Sequence, residues 1–160
     1  MKKNIIVKIT FAFLLLTHYA YSQVDVIYNN LVWSDEFNTN GAIDSNKWFH
    51  QTQLPSGGSW FNNEVQHYTD LLSNSFVDSG NLNIVAKKEP FTDQGVTKQY
   101  TSARLLTKGK FDFKYGKVEV RAKLPASGGT WPAIWMLGSN IQSIGWPRCG
   151  EIDIMEQTGA

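Results

Sequence analysis

The sequence predicts an all-β protein in which a sandwich of strands is the favoured architecture. Short alternations of apolar and polar residues recur along the chain, and the clearest covers residues 117–124, where Val118 and Val120 stand between charged neighbours. A period of two is typical of a strand with one buried and one solvated face. Turn-forming clusters such as residues 55–58 and 78–81 separate these segments, and we find no long amphipathic helical pattern between them. This combination favours a sandwich over a helical or mixed fold.

Six segments carry the strand prediction. They are residues 31–37, 82–88, 100–106, 110–114, 117–124 and 131–137. No internal repeat, linker or low-complexity tract divides them, so we expect a single domain. Large β-sandwiches run to roughly 200–250 residues. We therefore expect residues 23–160 to be the N-terminal part of one domain that is truncated at its C-terminus.

The first 22 residues predict a secretory signal peptide. Lysines precede and enter a short apolar run, and Ala20 and Ser22 then provide the small-x-small pattern that a signal peptidase accepts. The run is too short to span a bilayer as a helix. We expect cleavage after Ser22 and a protein that is secreted, either extracellular or periplasmic.

Charge and cysteine content exclude several classes of partner. Removal of residues 1–22 removes three lysines and no acid, which shifts the formal net charge from +1 to −2. Neither a nucleic acid nor, after cleavage, a membrane is expected as a partner, and we expect a monomer.

The only cysteine is Cys149, so no intrachain disulfide is expected. We interpret Cys149 as a small apolar residue rather than a nucleophile, because no histidine lies near it.

Three acidic residues near the end of the chain are the strongest candidates for catalysis. On a regular strand Glu151 and Asp153 would share a face, and Glu156 would point to the other. One extra residue in a β-bulge, which we place at Ile154–Met155, would return Glu156 to the face of the other two. The two glutamates could then approach to about 5–5.5 Å, the separation that retaining glycosidases use.

The same acids allow other interpretations. Ile152 and Ile154 alternate with them as they would on an ordinary strand with a solvated face. A metal site is a further alternative: the lack of nearby histidines argues against zinc, and three carboxylates at most hint at calcium. If the site is catalytic, one glutamate attacks and the other donates a proton, with Asp153 between them, but the spacing does not assign the two roles.

Several motifs together resemble glycoside hydrolase family 16, and in particular its laminarinase-like endo-β-1,3-glucanase branch. Residues 150–156 resemble the bulged Glu-x-Asp-x-x-Glu signature of that family. Further motifs follow in the expected order at residues 33–37, 62–66, 100–104, 115–116 and 131–138. The resemblance spans residues 31–159.

This resemblance implies a β-jelly roll with a concave cleft that hydrolyses β-1,3 or mixed β-1,3/1,4 glucans with retention of configuration. It implies that Glu151 is the nucleophile and Glu156 the acid/base. No cofactor is required for such chemistry. At Glu36 and the carbonyl of Gly80 the resemblance implies a candidate structural calcium site away from the cleft, and oxygen ligands suit that ion.

Aromatic and polar residues around the acids are candidate ligands for the sugar chain. Trp131 and Trp135 would share one strand face about 13 Å apart and could form a platform, although large aromatic residues are more often part of a core. Arg104 could bind sugar hydroxyls or steady a carboxylate, with a surface arginine as the alternative. Asn62 and Trp146 are further candidates for substrate binding.

Two other functions remain compatible with these residues. The same fold could act on another polysaccharide such as agarose or carrageenan, although the segment 131–135 favours glucan. A noncatalytic β-glucan-binding module is the alternative from a different class. Because both Glu151 and Glu156 are present, hydrolysis is favoured over binding alone.

Overall fold

The computed structural model describes residues 26–158. The predicted signal peptide lies outside these residues. The compact unit that carries the candidate site begins at Leu31. Within the described part of the chain, none of the helices combines the length and hydrophobicity of a membrane span.

Strands dominate the described residues, and the only helix among them has a single turn. In chain order the elements are β1 (Phe49–His50), β2 (His67–Tyr68), β3 (Ser75–Asp78), β4 (Asn81–Ile84), β5 (Lys87–Asp93), β6 (Val96–Ser102), β7 (Leu105–Leu106), β8 (Ala133–Leu137), α1 (Ile141–Ile144) and β9 (Glu151–Glu156). The all-β prediction is confirmed.

Four small sheets organise these strands. The largest has the order β2-β6-β5, in which β5 and β6 form a long antiparallel hairpin and β2 pairs with β6 in parallel. Strands β1 and β7 pair with each other, as do β3 and β4. The fourth sheet is the antiparallel pair β8 and β9, which carries the three acids.

The turn predicted at residues 78–81 closes the hairpin of β3 and β4. Asp78 pairs with Asn81, which leaves Ser79 and Gly80 as a two-residue loop with φ angles of 51° and 74°. Positive φ at both central positions is the type I′ geometry, whose twist matches that of the flanking strands. Glycine adopts this conformation without a steric penalty at the second position.

Three of the six strand predictions are wrong for the described residues, and the others need revised bounds. Residues 31–37 are irregular because Asp35 accepts the amide N–H of Phe37, which has a φ of 52°. Residues 110–114 and 117–124 pair with no strand in this part of the chain. Val118 and Val120 accordingly remain 39% and 52% exposed. Alternation identifies a segment suited to a sheet, but it does not supply the neighbouring strand.

The remaining three segments are strands with different limits. Residues 82–88 divide between β4 and β5, and residues 100–106 divide between β6 and β7. The strand predicted from residue 131 begins two residues later, at Ala133. Strands β1, β2 and β3 were not predicted.

A buried polar cluster joins three of the sheet-forming segments. The side chain of Asn74 is fully buried, accepts the hydroxyl of Thr69 at 2.6 Å, and donates to the carbonyl of Val85 and the hydroxyl of Thr101 at 3.0 Å each. Thr101 in turn donates to Glu89 at 2.6 Å. Every polar group of the Asn74 side chain therefore has a partner, as burial requires.

Candidate active site

The pairing of β8 with β9 determines where the three acids point. Opposite residues of an antiparallel pair lie on the same face, and Leu137 is opposite Glu151 while Trp135 is opposite Asp153. Further along, Ala133 is opposite Glu156. Ala133, Trp135 and Leu137 share a face through their spacing of two, so the three acids share it as well.

A bulge in β9 makes this arrangement possible. Ile134 pairs with Met155, but the next residue, Trp135, pairs with Asp153, so Ile154 is the extra residue. The bulge lies within the segment predicted from the sequence, and it brings Glu156 back to the side of the other acids. All three acids are exposed, as groups that meet a substrate must be.

Each of the two glutamates accepts a hydrogen bond from a tryptophan. Trp146 donates its indole N–H to Oε2 of Glu151 at 3.1 Å, and Trp131 donates to Oε1 of Glu156 at 2.9 Å. The bonds fix one oxygen of each carboxylate and leave the other for chemistry. Trp131 is 45% exposed and Trp146 is 66% exposed, so both rings offer apolar surface beside the acids.

Arg104 lies on the same side of this hairpin as the acids. Its guanidinium carbon is 4.8 Å from the ring centroid of Trp135, which is the residue opposite Asp153. The distance is typical of a cation–π contact. Trp135 is half-buried beneath the arginine, whereas Trp131 is exposed, so the two tryptophans are not equivalent members of a platform.

The sequence interpretation missed most of the surroundings of Arg104. Trp60 and Tyr68 also face its guanidinium, and Glu64 accepts the hydroxyl of Tyr68 at 2.6 Å. Burial, followed by the hydrogen bond to Glu64, raises the pKa of Tyr68 well above its usual value. The segment 62–66 was a recognisable signal for this region, but Trp60 and Tyr68 lie outside it.

Asn62 is exposed in a turn and has a φ of 56°. None of the side-chain hydrogen bonds in the described residues joins it to the acids. Its assignment to substrate binding stays a prediction.

The candidate calcium ligands lie in neighbouring segments. Asn40 contacts Asp78 and Ser79, which connects the loop after Glu36 to the turn that contains Gly80. Within residues 26–158 there is no cluster of three or more acidic, histidine or cysteine side chains that could hold a metal. Calcium takes six to eight oxygen ligands, and Glu36 with the Gly80 carbonyl does not provide that number, so the described residues do not fit the ion by themselves.

Gly138 allows the connection between β8 and β9 to close tightly. Its amide N–H donates to the carbonyl of Gly150 at 3.3 Å, and a Cβ at this position would collide with the carbonyl of Cys149. The backbone just before Glu151 is therefore held against the end of β8. This contact helps to set the position of the first acid.

Residues 47–160 match the family described as XgeA-like, catalytic GH16 domain. The chain belongs to the GH16 family. The beta-glucanase of Rhodothermus marinus is 47% identical over 133 residues, which cover 81% of this chain and 44% of that protein. The keratan-sulfate endo-1,4-beta-galactosidase of Sphingobacterium multivorum is 40% identical over 127 residues, which cover 79% of this chain and 28% of that protein.

A solved GH16 structure supports the fold assignment. A variant of LamA from Z. galactanivorans, in complex with laminaritriose and laminaritetraose, has 54% sequence identity and a TM-score of 0.79, with 83% of this chain and 57% of that chain covered. The predicted β-jelly-roll class is confirmed by this similarity. The chain spans about half the length or less of these GH16 proteins.

Proposed function

We propose that the protein is a retaining endo-glycosidase that hydrolyses β-1,3 or mixed β-1,3/1,4 glucans by double displacement. The observation that carries this proposal is the bulge at Ile154. Because of it, Glu151 and Glu156 lie on one face of β9 with Asp153 between them. Two carboxylic groups on the same side of a sugar-binding surface are the minimum that the reaction requires.

In the proposed reaction the carboxylate of Glu151 attacks the anomeric carbon and forms a glycosyl ester. The bond from that carbon to the glycosidic oxygen breaks as Glu156 donates its proton to the departing oxygen. Glu156, now ionised, takes a proton from water, and the water oxygen attacks the anomeric carbon. This second displacement releases Glu151, and both carboxyl groups return to their starting states.

The hydrogen bonds from the two tryptophans are compatible with the roles of Glu151 as nucleophile and Glu156 as acid/base. The indole N–H of Trp146 restrains one oxygen of Glu151 and leaves the other to attack. Trp131 restrains Glu156 in the same way on the opposite side of Asp153. Each restraint limits the rotamers of a flexible side chain before substrate arrives, which reduces the entropy lost on reaching the reactive geometry.

The GH16 relatives favour a β-glucan as the substrate. The R. marinus protein is named a beta-glucanase, and the Z. galactanivorans structure contains laminari-oligosaccharides. The S. multivorum protein is named a keratan-sulfate endo-1,4-beta-galactosidase, and it supports a second candidate function, the endo-hydrolysis of another polysaccharide on the same fold.

A comparison of substrates tests the proposal. The complete enzyme, incubated with laminarin, lichenan, agar and keratan sulfate, should release reducing ends from laminarin fastest. NMR of the first products should show the β-anomer before mutarotation, because double displacement retains configuration. Release from keratan sulfate or agar alone would replace the glucan proposal with the second candidate, and an α-anomer would rule out the retaining mechanism.

Substitution of the proposed nucleophile tests its role. Glu151→Gln keeps the size of the side chain and an oxygen that can accept the indole of Trp146, but it removes the attacking carboxylate. We expect kcat to fall by at least about 10³-fold, while affinity for laminari-oligosaccharides, measured by calorimetry, stays close to that of the wild type. Unchanged turnover would show that Glu151 is not the nucleophile.

Other parts of the proposal concern the whole protein. We propose that it is exported through the signal peptide of residues 1–22, acts as a monomer and requires no cofactor for hydrolysis. Residues 23–160 would form the N-terminal part of one catalytic domain, in line with their partial coverage of the GH16 relatives. Calcium at Glu36 and Gly80 would need further oxygen ligands beyond those two.

A further inference from the structure

We propose that Glu64 and Tyr68 are positioning residues that hold the guanidinium of Arg104 over Trp135, where it meets the substrate. The inference rests on the proposed function, because it assigns Arg104 to the binding of a sugar chain at the same site. It adds two residues that act on the substrate only through Arg104.

Glu64 holds Tyr68 by a short hydrogen bond. Oε2 of Glu64 accepts the hydroxyl of Tyr68 at 2.6 Å and also accepts the side-chain amide of Gln66 at 2.9 Å. Both of these hydrogen bonds are partly buried, where competition from water is reduced. A hydrogen bond to an ionised acceptor is about twice as strong as one between neutral groups. The phenol ring is therefore fixed at its hydroxyl end.

Tyr68 in turn forms one wall of an aromatic cage around Arg104. The guanidinium carbon is 5.8 Å from the ring centroid of Tyr68, 5.6 Å from that of Trp60 and 4.8 Å from that of Trp135. Contacts within about 6 Å of a ring centroid are attractive. Trp60 is only 5% exposed and packs edge-on against Tyr68 at 4.9 Å, so this second wall is rigid.

The cage leaves the donors of Arg104 available. Within residues 26–158 the guanidinium forms no ion pair, and none of the side-chain hydrogen bonds uses it. An arginine that only stabilised the fold would be expected to donate to a carboxylate or a carbonyl. Held by ring faces alone, the planar N–H groups can instead donate to ligand oxygens.

The cage also places Arg104 beside the acids. Trp135 is the residue opposite Asp153 on β9, and its face of the hairpin is the one that carries Glu151 and Glu156. If Tyr68 loses its hydrogen bond to Glu64, the wall that it forms becomes mobile, and Arg104 loses a defined position over Trp135. We expect substrate binding to weaken more than the chemical step.

Steady-state kinetics on laminari-oligosaccharides test this inference in the complete enzyme. Glu64→Ala and Tyr68→Phe should each raise KM by about tenfold, the effect of losing one hydrogen bond to a charged group, with kcat within about twofold of the wild type. Glu64→Gln keeps an acceptor for the tyrosine and should recover most of the loss. Glu119→Ala removes an exposed carboxylate that pairs with Lys117, and it serves as the matched control with unchanged KM.

A double-mutant cycle separates positioning from a structural effect. Arg104→Lys retains the charge but not the planar group that the cage holds. In that background Glu64→Ala should change KM by less than about twofold, because the residue through which it acts is already lost. Full additivity of the two substitutions would overturn the inference.

NMR provides a measurement that needs no substrate. The Nε–H resonance of Arg104, assigned by its loss in Arg104→Lys, should carry a ring-current shift that collapses in Glu64→Ala and Tyr68→Phe and persists in Glu64→Gln. An unchanged resonance in Glu64→Ala would overturn the inference.

If the wild type neither binds nor cleaves laminari-oligosaccharides, the proposed function fails and the assignment of Arg104 to substrate fails with it. The resonance would then report only on the cage.

Discussion

Each glutamate of the proposed mechanism has its own indole donor, and the two donors come from different parts of the chain. Trp146 lies shortly before Glu151, between α1 and β9, whereas Trp131 lies two residues before β8 and reaches Glu156 near the end of β9. The hydrogen bonds restrain the carboxylates without burying them. Orientation of the acids therefore depends on side chains that also offer ring faces to a sugar.

Replacement of Trp146 by phenylalanine separates these two roles. Trp146→Phe keeps an apolar ring but removes the N–H that restrains Glu151, so we expect kcat on laminarin to fall about threefold to tenfold with little change in KM. Initial rates over a range of laminarin concentrations would distinguish the effects. A raised KM with unchanged kcat would mean that the ring binds sugar and that the hydrogen bond is dispensable.

The acids and several residues near them could be identified from the sequence, but the contacts between these residues could not. Glu151, Asp153 and Glu156 stand close together in a recognisable pattern, so their local spacing carries the information. The contact of Arg104 with Trp60 and Trp135 joins residues far apart in the chain, and no local pattern encodes such a contact. The resemblance pointed to Arg104 and Trp135 individually, without indicating that one packs on the other.

The bulge in β9 is the structural element on which the site depends. Deletion of Ile154 should let the strand pair regularly with β8, and Glu156 would then turn to the opposite face. We expect activity on laminarin to fall by about 10²–10⁴-fold, the contribution of a general acid. Circular dichroism of the deletion variant would establish that the β-structure is retained.

Ile154→Ala is the matched control for this deletion. Ile154 is 39% exposed, and the substitution preserves the number of residues and hence the bulge. Activity within about threefold of the wild type is expected, since the bulge and all three acids are retained. If the deletion variant folds and remains as active as this control, the bulge does not determine the orientation of Glu156.

The sequence located three of the strand-forming segments but not the limits of their strands or most of their pairings. The turn at Ser79 and Gly80 was predictable because its residues specify the geometry themselves. The pairing of β2 with β6 joins residues more than thirty positions apart, and β1 and β2 have only two residues each, too few for a periodic pattern. Hydrophobic alternation at residues 117–124 was equally clear, but it gave no indication of what that segment would pair with.

The interior of the molecule is held together by polar as well as apolar contacts. Among residues 26–158 five hydrophobic residues are buried, and five polar residues are buried as well: His67, Thr69, Asn74, Ser75 and Thr101. The carboxamide of Asn74 connects the segment before β3 to strand β6 and to Val85, which lies between β4 and β5. These side-chain hydrogen bonds join segments that belong to different sheets. Composition and periodicity could not predict them.

Loss of this central side chain should destabilise the whole fold. Asn74→Ala leaves the hydroxyl of Thr69 and the carbonyl of Val85 without their buried partner, and we expect the free energy of unfolding to fall by about 3 kcal/mol. Urea denaturation of the complete enzyme, followed by tryptophan fluorescence, would measure the change. Asn46→Ala, in an exposed turn, should change it by less than about 0.5 kcal/mol. Equal stability of the two variants would mean that water replaces the lost amide, and the polar cluster would then not be what joins the sheets.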